Sequence, residues 1–225
     1  MHAAGDIPVT IAPENYHSLC DQLSGNDTDL RRVIDLFGYP PLWARENNFE
    51  TLVHIILEQQ VSLASALAAL NKLKDKTTVI TPDTLLRLSD QEMKACYVSR
   101  QKMAYIRGLA HSINNHEIEL AKFTLMRDDD IRTELISLKG IGNWTIDIYL
   151  MMALGRTDIF PIGDLAAASA LKRLKHLPVN IGREDLLNTI VKWAPLRSIG
   201  CMILWHYYLS DPARRALAKT DHHIR

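Results

Sequence analysis

The sequence predicts an all-α protein, because apolar residues recur at helical spacing along most of its 225 residues. Strand-like alternation is confined to fragments such as residues 78–81, and proline, glycine and capping residues interrupt the helical pattern repeatedly. An apolar content of 47% is enough for a buried core, in one large or two small domains.

These interruptions give the order of the helices. A first helix begins near Pro13, and Gly38 and Pro40 separate the second from the third. Ser89 and Glu92 stand at the spacing of a capping box. The predicted helices cover residues 29–36, 49–59, 63–73, 100–114, 128–138, 143–154, 165–174, 184–194 and 199–209, with two more beginning at residues 83 and 89.

The composition narrows the environment of the protein. Its three cysteines lie far apart, so we expect neither a disulfide framework nor a cysteine-rich metal site, and a reducing compartment fits best. No leader-like segment or run of about 20 apolar residues is recognisable, so we expect no membrane association. The expected location is the cytoplasm of a bacterium, or the nucleus of a eukaryote.

Charge is distributed unevenly along the chain. The net charge is zero, which by itself disfavours a nucleic-acid partner. However, residues 1–164 hold 16 basic and 22 acidic side chains, whereas residues 165–225 hold 10 and 4. The protein could therefore present one basic face to DNA, although an accidental bias of the last residues explains the difference equally well.

A glycine-containing turn between two helical runs is the most informative feature. Gly140 and Gly142 bracket Ile141, so the backbone can take a positive φ or approach another backbone closely, and the next helix presents its unpaired N–H groups. Such a turn suits a phosphate oxygen. About twenty residues later Asp164 begins another helix, where it could be a functional acid or a simple N-cap.

This segment resembles the helix-hairpin-helix and Gly/Pro-Asp signature of the base-excision DNA glycosylase superfamily, in particular its 3-methyladenine DNA glycosylase II branch. The matching blocks are LKGIGNWT at 138–145 and ALGRTDIFPIGDL at 153–165. Two further blocks are similar to the family's early and closing motifs: ILEQQVS at 56–62, and WAPLRS at 193–198 with LW at 204–205. The blocks keep the family's order over residues 49–209.

The resemblance implies two helical lobes, with the helix-hairpin-helix motif at a cleft that takes the base. A helical bundle over residues 30–153 would end in the hairpin, and residues 1–29 with 154–225 would form the second domain. The implied partner is double-stranded DNA containing alkylated bases, bound by a monomer that needs no cofactor.

Asp164 is the expected catalytic residue. Cleavage of an N-glycosidic bond builds positive charge on the deoxyribose, which a fixed carboxylate can stabilise. Asp147 and Asp158 are nearby alternatives, and by resemblance Asp158 is structural. Arg197 is likewise expected to be structural, although it could contact a phosphate.

Three aromatic residues are expected in the base pocket. Trp144 stands where relatives that cut the DNA backbone carry a lysine, so the resemblance implies a monofunctional enzyme with water as the nucleophile. Trp205 matches a pocket tryptophan whose π face favours a cationic purine, and Tyr149 is included as a neighbour of Ile148, where some relatives have an aromatic residue. Each of these side chains could instead belong to the core.

The resemblance also assigns DNA and ion contacts. Gln60 would fill the gap left by a flipped nucleotide. DNA contacts are expected from Gln59, Gln60, Gly140, Ile141, Gly142 and Thr145. The backbone carbonyls of Ile136, Leu138 and Ile141 could bind a structural Na⁺ or K⁺ ion in the hairpin.

Two other functions remain open from the sequence. A glycosylase for oxidised or deaminated bases would be expected to carry a lysine at position 144 or a cluster of cysteines, neither of which is present. A non-catalytic hairpin module that only holds phosphate would not need the carboxylate of Asp164. The sequence does not rank 3-methyladenine, 7-methylguanine, hypoxanthine and ethenoadenine as substrates.

Overall fold

A computed structural model describes residues 10–210 of the chain, whose helices group into two compact units. The first unit combines Met1–Trp43 with Gly155–Arg225, and the second is Ala44–Leu154. The expectation of an all-α fold is confirmed: within residues 10–210 the only β pairing is an isolated bridge between Thr10 and Arg156. None of the helices in this range is long and apolar enough to cross a membrane.

The first unit contains both ends of the described chain. Its helices are α1 (Tyr16–Gly25), α2 (Thr28–Phe37), α10 (Leu165–Leu174), α11 (Arg183–Asn188) and α12 (Arg197–Ser210), with a 3₁₀ turn at Val191–Trp193. Helix α12 packs against α1, α2 and α10. Residues 30–43, which the sequence analysis assigned to the bundle, therefore group with the first unit.

The second unit is continuous in sequence. Its helices are α3 (Phe49–Glu58), α4 (Leu63–Thr77), α5 (Pro82–Leu86), α6 (Asp90–Ala95), α7 (Arg100–Asn114), α8 (Asp128–Ile136) and α9 (Asn143–Met152), with a 3₁₀ turn at Leu120–Leu125. Helix α3 is buried along most of its length and packs against α4, α7 and α9. Helices α8 and α9 form the hairpin pair.

Asp27 joins distant parts of the first unit. As the N-cap of α2 it accepts the backbone N–H groups of Asp29 and Leu30, while its other contacts come from the C-terminal part of the chain. Lys175 Nζ lies 2.6 Å from Oδ1, and the indole Nε1 of Trp193 donates to Oδ2 over 2.8 Å. Because the Asp27 side chain is almost fully buried, these charged and polar partners are needed to offset its desolvation.

Candidate active site

Asp164 is the N-cap of α10. Its backbone is extended, with φ −76° and ψ 116°, and its Oδ1 accepts the backbone N–H of Ala167 over 2.8 Å. The indole Nε1–H of Trp205 donates to the same oxygen over 3.0 Å. The half-buried carboxylate is therefore held in one orientation by donors from two helices, α10 and α12.

Trp205 lies on α12 and is only 9% exposed. Its indole ring packs edge-to-face with that of Trp43, with ring centroids 5.8 Å apart and an interplanar angle of 86°. The sequence analysis did not select Trp43. The only signal available was an aromatic residue just after the prolines that follow α2, and many core residues share that position.

The two alternative carboxylates are both in ion pairs. The Asp158 carboxylate accepts hydrogen bonds from Nε and Nη2 of Arg197, each over 2.7 Å, and these bonds raise the pKa of Arg197. Asp147, in the second unit, is buried and pairs with Arg132. Asp158 and Arg197 therefore fix the segment that leads to α10 against the start of α12, as expected of structural residues.

The hairpin turn depends on Gly140. Its φ of +88° is in the left-handed region, and a Cβ built there would lie 2.1 Å from the ring of Tyr105. Gly142 differs: its φ is −102°, and a Cβ there would meet nothing within 4 Å. Only Gly140 is therefore required by the fold of the turn, while Gly142, the exposed N-cap of α9, leaves room for a ligand.

The first N–H groups of α9 follow Gly142 in the chain. The first intrahelical bond of α9 runs from Ile146 N–H to Gly142 O, so the N–H groups of Asn143 and Thr145 have no acceptor within the helix. A helix start of this kind binds anions through backbone N–H groups and the helix dipole.

The side chain of Gln59 bonds the hairpin turn. Its Nε2 donates to the carbonyl of Gly140 over 2.8 Å and to Oγ1 of Thr145 over 2.9 Å. Thr145 is 2% exposed and the Ile141 side chain is also buried. These side chains therefore hold the hairpin together, and the expected contact of Gln59, Ile141 and Thr145 with DNA stays a prediction.

Gln60 occupies the position expected of a residue that enters DNA. It is exposed, lies between α3 and α4, and has a left-handed φ of +58°. Asparagine, aspartate and glycine tolerate this region best, so a glutamine here is uncommon. Gln60 directly follows Gln59, which bonds the hairpin turn.

Tyr149 does not belong to an exposed pocket. It is fully buried in the second unit, where its hydroxyl donates to Oδ1 of Asn47 and its ring meets that of Phe123 at 77°. This buried position does not support the expected base-pocket role of Tyr149, which stays a prediction. Trp144 itself is half-buried in the first turn of α9.

The predicted ion site lies in the turn between α8 and α9. The carbonyl of Leu138 accepts the N–H of Ile141 over 3.1 Å, and a carbonyl oxygen has a second lone pair for a cation. No cluster of His, Cys, Asp or Glu side chains suited to a metal occurs within residues 10–210. The ion in the hairpin therefore stays a prediction based on backbone oxygens.

Comparison with known families decides the class of protein. The model of the HhH-GPD superfamily base excision DNA repair protein matches residues 53–195, more than half of the chain. The chain belongs to the HhH-GPD superfamily. The matched region contains Gln60, the hairpin, Trp144 and Asp164, but ends before Trp205.

Two relatives named as glycosylases are similar over most of the chain. YfjP of Bacillus subtilis, provisionally named a DNA-3-methyladenine glycosylase, is 27% identical over 186 residues, which are 79% of this chain and 65% of YfjP. DNA-3-methyladenine glycosylase 1 of Schizosaccharomyces pombe is 26% identical over 190 residues, which are 81% of this chain and 83% of that enzyme. The chain thus spans just under two thirds of the first relative and most of the second.

A solved structure has the same fold. The Schizosaccharomyces pombe 3-methyladenine DNA glycosylase Mag1, in complex with abasic DNA, gives a TM-score of 0.75 at 26% identity. The similarity covers 84% of this chain and 95% of Mag1. A 3-methyladenine DNA glycosylase of known structure therefore holds abasic DNA with a fold like this one.

Proposed function

We propose that the protein is a monofunctional DNA glycosylase that hydrolyses the N-glycosidic bond of alkylated purines, of the 3-methyladenine and 7-methylguanine type, in double-stranded DNA. The observation that carries the proposal is the carboxylate of Asp164, held by Ala167 N–H and Trp205 N–H in the Gly-Asp motif that follows the hairpin. Family membership supports base excision, and the names of the relatives support alkylated purines.

The chemistry asks little of the protein beyond this carboxylate. Alkylation at N3 or N7 makes the purine cationic and a good leaving group, so no side chain needs to protonate it. Positive charge then develops on the deoxyribose, and a carboxylate fixed beside the sugar stabilises it or orients the attacking water. Extrusion of a damaged base also costs less than extrusion of a paired one.

Trp144 favours water over an amine as the nucleophile. A glycosylase that also cuts the strand forms an imine between a lysine and the sugar, and an indole nitrogen cannot do this. The half-buried indole in the first turn of α9 is instead suited to line the site with a π face.

The proposed partner is duplex DNA, bound without sequence preference through the hairpin backbone and entered by Gln60. We propose that the protein acts as a monomer and needs no catalytic cofactor, with a Na⁺ or K⁺ ion on the hairpin carbonyls as a structural element. Its place of action would be where chromosomal DNA is, in the cytoplasm of a bacterium or the nucleus of a eukaryote.

The test replaces the carboxylate while keeping the helix cap. Asparagine and serine are N-caps as good as aspartate, so Asp164→Asn and Asp164→Ser should melt within a few degrees of the wild type. Both should slow single-turnover release of 3-methyladenine by at least about 100-fold, because the charge acts in the transition state. Affinity for an abasic-analogue duplex should change only a few fold.

Asp185→Asn is the matched control. It removes the same charge from the first turn of α11, in the same unit, where the carboxylate is exposed. This variant should keep the wild-type rate. If Asp164→Asn retains more than about a tenth of that rate, Asp164 is an N-cap only and the proposed catalytic role is rejected.

A further inference from the structure

Trp43 is linked to the carboxylate of Asp164 through Trp205, which contacts both residues. The Trp205 indole donates its N–H to Asp164 Oδ1 over 3.0 Å, and its ring lies edge-to-face with that of Trp43. All three residues belong to the first unit. They form a chain of two contacts that begins in the segment after α2 and ends at the proposed catalytic group.

The direction of an indole N–H depends on the rotation of its side chain. Tryptophan has one donor, in the plane of the ring, and the terminal torsion of aromatic side chains is broad. Helix α12 fixes the Cα of Trp205 but leaves this rotation open. An aromatic ring packed at 86° restricts it, because a turn of the indole would run into the neighbouring ring.

The position of Trp43 is itself fixed. Two residues earlier the carbonyl of Pro41 accepts the hydroxyl of Tyr16 over 3.2 Å, and Tyr16 is a buried residue of α1. This bond ties the segment that carries Trp43 to the core of the first unit. Trp43 can hold the Trp205 ring before any substrate binds.

We propose that Trp43 is a positioning residue for Asp164, acting through the indole N–H of Trp205. The proposal rests on the proposed function, in which the Asp164 carboxylate stabilises the transition state. It gives Trp205 a second role, as a hydrogen-bond donor to that carboxylate in addition to an aromatic wall. Electrostatic catalysis requires such a prearranged group, since a small displacement lowers the rate.

The first test observes the contact without catalysis. The protein has four tryptophans, so its indole N–H groups give four signals in a ¹⁵N NMR spectrum, and loss of one signal in Trp205→Phe assigns Trp205. Asp164→Asn and Trp43→Leu should each shift the Trp205 signal. The signal of Trp193, whose N–H is bonded to Asp27, should stay in place and serves as the internal reference.

The second test is a double-mutant cycle on single-turnover base release. Trp205→Phe should slow release by about 10-fold to 100-fold, the usual effect of losing a hydrogen bond to a charged group. Trp43→Leu should slow it by about 10-fold, while Trp43→Phe, which keeps a ring at this place, should restore most of the rate. In the Trp205→Phe background, Trp43→Leu should cost less than about twofold, because its path to Asp164 is already lost.

Tyr39→Leu is the control for a general loosening of this segment. Tyr39 lies four residues before Trp43, its ring is stacked on that of His17 with centroids 4.2 Å apart, and its hydroxyl donates to Asp21. It should leave both the Trp205 signal and the rate unchanged.

The outcomes separate the two proposals. An unshifted Trp205 signal in Trp43→Leu, or rate losses that add fully in the double mutant, would overturn the positioning role. The two variants could shift the Trp205 signal as expected while the wild-type protein releases no alkylated base. That result would support the positioning contact and reject the proposed function.

Discussion

The two glycines of the hairpin turn should respond oppositely to alanine. At Gly140 an alanine would have to adopt φ +88°, which costs roughly 1–2 kcal/mol, and its Cβ would overlap the Tyr105 ring, which adds about 1–3 kcal/mol. The total of roughly 2–5 kcal/mol corresponds to a Tm lower by about 4–20 °C in a chain of this size. Gly140→Ala should therefore be recognised by its instability.

At Gly142 the same substitution should leave the fold intact. The backbone already has a φ of −102°, and the new methyl group meets no protein atom within 4 Å. A poorer N-cap costs about 0.5–1 kcal/mol, and the lower entropy of the unfolded chain returns a similar amount. Stability should change by less than about 1 kcal/mol, so any effect on DNA must come from the surface.

DNA affinity then tests the phosphate role directly. A methyl group at Gly142 would separate the first turn of α9 from a phosphate, and loss of one charge-assisted hydrogen bond weakens binding by about tenfold or more. The loss should be equal for damaged and undamaged duplexes, because backbone contacts carry no sequence information. Fluorescence anisotropy with both duplexes measures it, and an unchanged Kd in the folded variant would remove the phosphate role from this turn.

Two further predictions concern stability and substrate. Burial opposes ionisation of Asp27, but hydrogen bonds from Lys175 and Trp193 outweigh it and lower its pKa from 3.8 to about 2. The ionised carboxylate should therefore contribute about 2 kcal/mol to the free energy of unfolding above pH 4, and this contribution is lost as pH falls from about 4 to about 2. Urea unfolding of wild type and Asp27→Asn at pH 7 and pH 3 should show the difference shrinking at the lower pH, and an equal difference at both would contradict the assignment. Under single-turnover conditions the protein should release 3-methyladenine faster than 8-oxoguanine. Borohydride should trap no protein–DNA adduct, since Trp144 offers no amine. A trapped adduct or faster release of the oxidised base would leave only a general glycosylase activity.

The helices with strong local signals were predictable from the sequence. The bounds of α7 and α10 agree with the predicted 100–114 and 165–174, and Ser89 and Glu92 form the expected capping box. In these segments the apolar period, the N-cap and the terminal residues all indicate the same helix bounds, so local sequence determines them without tertiary contacts.

The stretch predicted as one helix over 184–194 is divided in the structure. Helix α11 ends at Asn188 and a 3₁₀ turn follows at Val191–Trp193. Thr189, Ile190 and Val191 are β-branched and weaken helix propensity, and the tight turn lets the Trp193 indole reach Asp27. Sequence periodicity does not contain that contact, because its partners are 166 residues apart.

The candidate site was predictable in its residue types but not in its contacts. Asp164, Gln60 and Gly142 occupy positions that suit the expected roles, since the first caps α10 and the other two are exposed. Packing decides which way a half-apolar side chain faces. The sequence did not reveal that Tyr149 lies in the core or that the Gln59 amide bonds the hairpin turn.

The N-cap role of Asp164 does not compete with the proposed catalytic one. An N-cap needs only a short side chain with an acceptor, and serine, threonine or asparagine would serve α10 as well. A carboxylate adds a negative charge, and capping fixes its rotamer because Oδ1 must stay 2.8 Å from Ala167 N–H. The bond from Trp205 meets the same oxygen from a different helix, which a cap does not require. The cap therefore explains how the carboxylate is held, whereas the added charge and the second donor are what a transition-state role calls for.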